Sequence, residues 1–184
     1  MLTYLFIVLA IVFRLVIPHM TPHPWDFTPV GAALLFFGAY GSRRHLWVPV
    51  LLLAGLDVYL TKVVYAYPLA WDHFISFAWY AATIWMGTRL RDRAEPLPTL
   101  GLALTSSVAF FIASNFGVWA AYSMYPKNLS GLMLCYAAGV PFYQHRIIGD
   151  LMFTAAFFAL PVLLNLWSDE IGNTPVLQGN MHRR

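Results

Sequence analysis

Long runs of apolar residues fill most of the 184-residue chain, and they limit what it can fold into. The apolar side chains do not form the 3.6-residue stripe expected of a helix on a water-soluble domain. Charged residues make up only 10% of the chain, whereas soluble domains average about 25%. These features predict an all-α polytopic membrane protein and do not suggest nucleic-acid binding.

Prolines, glycines and charged residues divide the apolar runs into six predicted transmembrane helices. The predicted spans are residues 2–17, 29–40, 46–65, 73–90, 99–125 and 147–167. They form one domain over residues 1–167, followed by a polar tail over residues 168–184. Residues 127–146 are predicted to be an amphipathic segment that does not cross the membrane, because Pro141 interrupts it. The first run lacks a basic start and a cleavage motif, so we expect it to remain as a span.

The distribution of basic residues predicts the orientation of these spans. With six spans, seven of the 11 Lys and Arg residues fall on one side of the membrane. These seven are Arg43, Arg44, Arg89, Arg91, Arg93, Arg183 and Arg184. The positive-inside rule then places both termini in the cytoplasm, in a multi-pass protein of the inner (plasma) membrane.

The stretch over residues 18–41 combines a proline-rich loop with a run of small residues. Four prolines in its first half fix φ and remove backbone donors, so that half cannot be a regular helix. Thr28 followed by Pro29 predicts an N-cap and the first position of a helix. The glycines and alanines that follow allow close packing, either within this chain or against a partner membrane subunit.

Ionisable and amide side chains in the predicted spans lie mostly towards the predicted outer side. They are Arg14, Asp57, Lys62, Asp72, His73, Asn115, Arg146 and Asp150. A charged residue at mid-helix costs roughly 2.5–3.5 kcal/mol in a bilayer, so the clustering predicts an outward-facing polar cavity. The alternative is structural pairing, of Arg14 with Asp57 or of Arg146 with Asp150, which would hold helices together.

Aromatic residues are also predicted to gather near the outer side of the membrane. They could form an interfacial belt or a stacking surface for a flat, partly polar ligand. Trp25 and Trp119 are the preferred stacking candidates, since each is near a polar residue, Asp26 or Asn115. The predicted solute-binding residues are Trp25, Asp26, Asp57, Asn115, Trp119 and Asp150.

Motifs for catalysis or metal binding give little support to an enzyme. His19 and His23 have helical metal-ligand spacing, but the prolines around them disfavour a helix there. The single cysteine excludes an intramolecular disulfide, and no hydrolase or phosphate-binding motif occurs. We therefore predict no enzyme and no cofactor, with a membrane enzyme using Asp57 or His23 on a lipid-like substrate as a third hypothesis.

Several blocks of the chain point to a family. They are residues 22–32 (PHPWDFTPVGA), Asp57, residues 114–119 (SNFGVW), Tyr125-Pro126 and residues 131–142. Together they resemble a family of short bacterial membrane proteins described only as candidate transport proteins, over about residues 14–160. That family is distantly similar to the substrate-binding S components of energy-coupling-factor vitamin transporters. This resemblance implies six spans, cytoplasmic termini and an outward-facing solute site closed by loops.

Two functional hypotheses follow for this chain in the lipid bilayer. The first is a substrate-binding subunit that captures a small solute from outside and needs a membrane coupling subunit, because the sequence has no nucleotide site. Residues 18–27 and 129–142 would form its lid. The alternative is an accessory or structural subunit of a larger membrane protein complex, whose outer loops would contact a partner protein, a cofactor or lipid.

Overall fold

The computed structural model describes residues 1–19, 27–91 and 94–172, and the regular structure of those residues is entirely helical. Its α-helices are α1 (Leu2–Val16), α2 (Val30–Tyr40), α3 (Trp47–Tyr59), α4 (His73–Thr88), α5 (Pro96–Ala121) and α6 (Leu129–Gly172). Short 3-10 turns at Ile17–His19 and Arg43–His45 follow α1 and precede α3, and a π-helical turn at Leu60–Val64 extends α3. The predicted all-α class is confirmed.

Three helical stretches of the described residues are long and apolar enough to cross a membrane. They are Arg43–Val64, Pro96–Ala121 and Leu129–Trp167, with 22, 26 and 39 residues. About 20 apolar residues are needed to cross a hydrocarbon core about 30 Å thick. Length and composition therefore agree with a membrane protein, whereas α1, α2 and α4 are shorter, with 15, 11 and 16 residues.

Helix α2 lies at the centre of the bundle. Every residue from Val30 to Ala39 is buried, and the helix contacts α1, α4, α5 and α6. Because its small residues are covered by neighbouring helices, they serve packing within this chain. Of the two alternatives for the small residues in the 18–41 stretch, the structure thus favours internal packing over docking onto a partner.

Two glycines allow α2 and α4 to approach with their backbones in contact. A Cβ atom at Gly38 would lie 2.8 Å from the Cα atom of Gly87 and would clash with the carbonyl of Ile84. A Cβ atom at Gly87 would clash with the carbonyl of Leu35. Only a residue without a side chain fits at either position without a shift of the helices.

Aromatic pairs join α1 to α2 and α6. Tyr4 packs edge-on against Phe37, with ring centres 5.2 Å apart, and Phe6 packs against Phe36 at 4.8 Å. Phe6 also stacks on Phe157 of α6 at 3.8 Å. The order of these pairs along the chain makes α1 antiparallel to α2, and the rings form one core between the three helices.

Helix α6 continues from Leu129 to Gly172 through both Pro141 and Pro161. The prediction that Pro141 breaks residues 127–146 into a segment separate from the sixth span is therefore wrong, and their predicted non-spanning position stays a prediction. A proline removes one backbone hydrogen bond, but a helix continues through it where packing against a neighbouring helix compensates. Helix α5 provides that packing, since the Tyr136 hydroxyl donates a 2.8 Å hydrogen bond to the Ile112 carbonyl.

The predicted ends of two other segments are also corrected. Pro29 is the N-cap residue of α2, and its carbonyl accepts a 2.9 Å hydrogen bond from the Ala33 N–H group. Thr28 is therefore not the N-cap. The predicted tail over residues 168–184 begins inside α6, which ends at Gly172, and residues 173–184 lie outside the described residues.

The bundle has two ends of different character. The basic end, where α3 starts and α4 finishes, carries Arg43, Arg44, Arg89 and Arg91. The aromatic end, where α4 starts and α5 finishes, carries Tyr65, Tyr67, Trp71, Trp119, Tyr122 and Tyr125. At the basic end, Arg91 donates a 2.8 Å hydrogen bond to the Gly41 carbonyl and so ties α4 to the end of α2.

Candidate functional site

Asp57 is buried where α1, α3 and α4 meet. Its Oδ1 atom lies 2.5 Å from Nη2 of Arg14, and its Oδ2 atom accepts a 2.5 Å hydrogen bond from the Tyr80 hydroxyl. Arg14 also donates to the Tyr80 oxygen at 2.5 Å. Each of the three side chains thus contacts the other two, and the predicted pairing of Arg14 with Asp57 is confirmed.

Trp79, which precedes Tyr80 on α4, joins a second buried network on α5. Its Nε1 atom donates to both the carbonyl and the hydroxyl oxygen of Ser106, each at 3.0 Å. The Thr83 and Ser106 hydroxyls lie 2.8 Å apart and share a hydrogen bond. The buried polar atoms of this network are therefore satisfied by one another.

Arg146 of α6 is held between two aromatic rings. Its guanidinium carbon lies 3.9 Å from the centre of the Phe110 ring and 4.7 Å from the centre of the Trp79 ring. Its Nε atom lies 3.7 Å from Oδ2 of Asp150, and only 14% of the Arg146 side chain is exposed. The predicted pairing with Asp150 is confirmed, although at that distance it is an ion pair without a hydrogen bond.

Asp150 also faces the first turn of α2. A Cβ atom at Gly31 would lie 2.6 Å from Oδ1 of Asp150, so the glycine makes room for this carboxylate. The first N–H groups of a helix have no partner within it, and they carry the positive end of the helix dipole. The Asp150 carboxylate therefore balances positive charge from both Arg146 and α2.

A cavity of about 280 Å³ opens between α5 and α6 beside the guanidinium of Arg146. Its lining consists of Phe110, Phe111, Ser114, Asn115, Gly139, Phe142, Tyr143 and Arg146. A Cβ atom at Gly139 would lie 2.5 Å from Oδ1 of Asn115, and the amide nitrogen of Asn115 donates to the Phe111 carbonyl at 2.9 Å. This α5–α6 cavity combines aromatic walls with a cation, an amide and hydroxyl groups.

Trp119 is located in the last turn of α5 and faces the connection to α6. Its Nε1 atom donates to the Pro126 carbonyl at 2.9 Å, and its ring centre is 5.5 Å from the Lys127 ammonium. Lys127 donates in turn to the carbonyls of Trp119, Ala120 and Tyr122. These contacts give Trp119 a structural role in closing the α5–α6 hairpin.

A wider pocket of about 510 Å³ lies at the aromatic end, between the start of α4 and the end of α5. Asp72 accepts a 3.2 Å hydrogen bond from the Tyr122 hydroxyl and lies 3.4 Å from Nδ1 of His73. His73 also lies 3.1 Å from the Thr61 hydroxyl. Burial raises the pKa of the Tyr122 phenol, and the Asp72 carboxylate raises it further. The polar groups of this pocket form hydrogen bonds with one another, so they have less capacity left to bind a ligand.

Two of the predicted solute-binding residues are brought together at the α5–α6 cavity. Asn115 lines it, and Asp150 lies behind it, paired with Arg146. Asp57 instead contacts Arg14 and Tyr80, and Trp119 bonds from the end of α5 to the connection that precedes α6. The contacts of the described residues thus divide the predicted set between one cavity and two structural sites.

Trp25 and Asp26 lie outside the described residues, as does His23, so their predicted roles stay predictions. In residues 1–19, 27–91 and 94–172, no three His, Cys, Asp or Glu side chains gather as metal ligands. The hypothesis of a metal site at His19 and His23 is not addressed by that observation.

Sequence reasoning did not include Arg146, Tyr80 or Trp79 among the site residues. The sequence did contain a signal for Arg146, because this charged residue lies one helical turn before Asp150. Tyr80 and Trp79 carried none, because a buried tyrosine or tryptophan cannot be told from the aromatic belt by sequence. Their roles depend on which helix faces which.

These features define an all-helical protein with membrane-length helices and a partly polar cavity at a buried ion pair. The chain belongs to a family described as a family of unknown function (DUF6580), whose model matches residues 1–170. No curated protein and no solved structure matches the chain. The family description names no activity, so a functional assignment depends on the site itself.

Proposed function

We propose that this chain is a multi-pass protein of the inner (plasma) membrane that captures a small solute in the α5–α6 cavity for transport. In this proposal all six helices cross or enter the membrane, and both termini are cytoplasmic. The arginines of the basic end support that orientation through the positive-inside rule. The aromatic end would face outward, on the side from which the solute arrives.

The short central helix agrees with a transport fold. At 11 residues and 1.5 Å per residue, α2 is about 16 Å long and reaches only part of the way across a bilayer. Transporters often contain such partial helices, whose positive N-terminal ends point at charged groups near the middle of the membrane. Here the N-terminal turn of α2 faces Asp150 through Gly31.

The observation that carries the proposal is the environment of Arg146. A guanidinium buried in a membrane protein needs hydrogen-bond acceptors. Its Nε atom has only the 3.7 Å ion pair with Asp150 and no hydrogen bond in the described part of the chain, and the side chain lines an open cavity. A solute with a carboxylate or another acceptor group would complete this site, and Asn115 would supply a second polar contact.

The lining also indicates the form of the solute. Phe110, Phe111 and Phe142 give the cavity aromatic walls, which favour a flat, apolar body. A volume of about 280 Å³ accommodates on the order of ten non-hydrogen atoms, at about 30 Å³ for each water-sized unit. Trp25 and Asp26 stay proposed contacts from the sequence, with the loop over residues 18–27 as part of a lid.

Comparison of the small molecules that co-purify with matched variants tests this function. Wild type and the variants Asn115→Leu and Asn165→Leu are purified in a mild detergent, and their extracts are analysed by mass spectrometry. Asn165 is an exposed residue of α6, so Asn165→Leu controls for the substitution itself. We expect one solute in wild type and Asn165→Leu that is depleted in Asn115→Leu. Extracts without such a solute would contradict the proposal.

The second candidate is an accessory subunit of a larger membrane complex, and the length of α6 favours it. Its 44 residues span about 66 Å, roughly twice the hydrocarbon thickness. A helix that projects from the bilayer offers a surface to a partner protein. Identification of the proteins that co-purify in the same preparation distinguishes the two candidate functions. A coupling subunit with ATPases would support transport, and the subunits of a complex of other function would support the accessory role.

A further inference from the structure

A second cavity lies on the other side of the Arg146–Asp150 ion pair. This groove of about 360 Å³ is located between the start of α5 and the later part of α6, and both Thr99 and Thr154 line it. Arg146 lines the α5–α6 cavity, and Thr154 follows it by eight residues on the same helix. At 1.5 Å per residue, only about 12 Å of helix separates the two cavities.

Buried polar atoms that lack a hydrogen bond occupy this short interval. Within the described residues, Nε of Arg146, Oδ2 of Asp150 and Oγ1 of Thr154 are buried and form no hydrogen bond, and the first two are held only by their 3.7 Å ion pair. Arg146, Asp150 and Thr154 are spaced four residues apart, so they share one face of α6. The Ser107 side chain interacts with Asp150 from α5. These buried polar side chains thus form a row between the two cavities, and their hydrogen-bonding capacity is not filled by the protein.

The neighbouring network shows that this row is not a general property of the bundle interior. Ser106 and Thr83 are as deeply buried as Ser107 and Thr154, yet their hydroxyls bond to each other and to Trp79. Most buried polar groups are satisfied, and an unsatisfied set needs an explanation such as water or a ligand. The polar side chains between the cavities therefore differ from the adjacent Ser106 and Thr83, whose hydrogen bonds are formed within the protein.

We infer that this row is a polar route through the chain, along which water and a small polar solute pass between the two cavities. The inference rests on the proposed function, since the α5–α6 cavity is the entrance to the route. Passing water or solute would supply the hydrogen bonds that these atoms do not form within the protein. The Asp150 carboxylate lies midway along this row, between Arg146 and the first turn of α2.

Small residues along the route leave it room to open. Thr99, Ala103 and Ser107 are spaced four residues apart on α5, so they line one face of that helix. Gly31 of α2 has no side chain to close the position beside Asp150. Shifts of about 1–2 Å between packed helices are typical of conformational transitions in proteins, and shifts of this size would open the route.

Accessibility of introduced cysteines to a charged thiol reagent tests the route. The background is Cys135→Ser, which removes the single native cysteine. Ser107→Cys and Thr154→Cys report on the route, and Ser106→Cys and Thr83→Cys are their matched controls on the satisfied network. Each variant is placed in lipid nanodiscs, treated with sulfonatoethyl methanethiosulfonate and followed by intact-mass spectrometry.

We expect the two route cysteines to be labelled at least about tenfold faster than their controls, because thiol reaction needs solvent access. Equal labelling of route and control cysteines would overturn the inference. Ala103→Cys, on the same face of α5, replaces Ser107→Cys if that variant does not elute as a single folded species. A route without labelling but with a retained solute would refute the path and leave the binding function intact. Labelled route cysteines in a protein that retains no solute would support the path and count against the binding function.

Discussion

The guanidinium of Arg14 lies 2.5 Å from the carboxylate of Asp57, and this ion pair joins α1 to α3 inside the bundle. Tyr80 of α4 bonds to both partners at 2.5 Å. The contact therefore ties together three helices, α1, α3 and α4. The geometry assigns Asp57 a structural role in helix assembly, since both its oxygens are engaged.

Removal of the Asp57 charge alone is expected to destabilise the protein strongly. Asp57→Ala would remove the carboxylate that binds the Arg14 guanidinium and accepts from the Tyr80 hydroxyl, and breaking a buried pair costs about 3–5 kcal/mol. The thermal denaturation midpoint in detergent measures this loss. The double variant Arg14→Met with Asp57→Leu removes both charges and should recover much of the stability. A double variant as unstable as Asp57→Ala would show that the charge pair is not the cause.

The glycine contact between α2 and α4 gives a prediction with a matched control. Gly38→Ala would place a Cβ atom 2.8 Å from the Gly87 Cα atom, and such overpacking costs about 1–3 kcal/mol. Gly55 is also helical, but a Cβ atom there meets nothing within 4 Å. Gly55→Ala should therefore stabilise α3 by about 0.5–1 kcal/mol. Denaturation midpoints that move in the same direction for both variants would contradict this account of the crossing.

Ala66 follows the π-helical turn of α3 with a φ angle of 55°. The Tyr67 N–H group bonds to the Thr61 carbonyl at 2.8 Å, which closes a helix C-terminus of the kind that favours glycine. We expect Ala66→Gly to stabilise the protein by about 0.5–1 kcal/mol, because glycine adopts the left-handed region without steric cost. Ala70→Gly in the same loop serves as the control and should lower the denaturation midpoint slightly. A lower midpoint for Ala66→Gly would refute the prediction.

Lys127 caps the last turn of α5 by donating to the carbonyls of Trp119, Ala120 and Tyr122. Lys127→Met keeps much of the apolar stem but removes the charge, and the loss of this cap should cost about 1 kcal/mol. Hydrogen exchange of the final turn of α5 is the local measurement, and we expect faster exchange there. Lys62 is the other lysine of the chain and is exposed. Lys62→Met should therefore leave hydrogen exchange in the final turn of α5 unchanged. Equal exchange in both variants would count against the cap.

The helices could be predicted from the sequence because apolar runs and breakers are local signals. The predicted second and fourth spans, residues 29–40 and 73–90, differ from α2 and α4 by no more than two residues at either end. Pro141 misled the prediction of α6, since the cost of a proline depends on the neighbouring helix that covers it. The charge pairs of Arg14 and Arg146 were foreseen as alternatives because opposite charges in a bilayer seek each other.

The division of the polar residues between separate sites could not be predicted from the sequence. Asp57 and Asp150 are both aspartates in apolar helices, and sequence alone does not show which one lies beside a cavity. That difference arises from packing: Tyr80 bonds to the second oxygen of Asp57, whereas Asp150 faces the first turn of α2 and pairs with Arg146, which lines a cavity. Only the arrangement of the helices around α2 distinguishes Asp57 from Asp150.

Native mass spectrometry of the protein released from its own membranes tests the central claim most directly. The claim is that the α5–α6 cavity holds one small solute through Arg146 and Asn115. The account predicts a chain with a single small-molecule adduct that persists in Asn165→Leu and disappears in Asn115→Leu. A chain without an adduct in every variant, released together with subunits of a complex of other function, would contradict it.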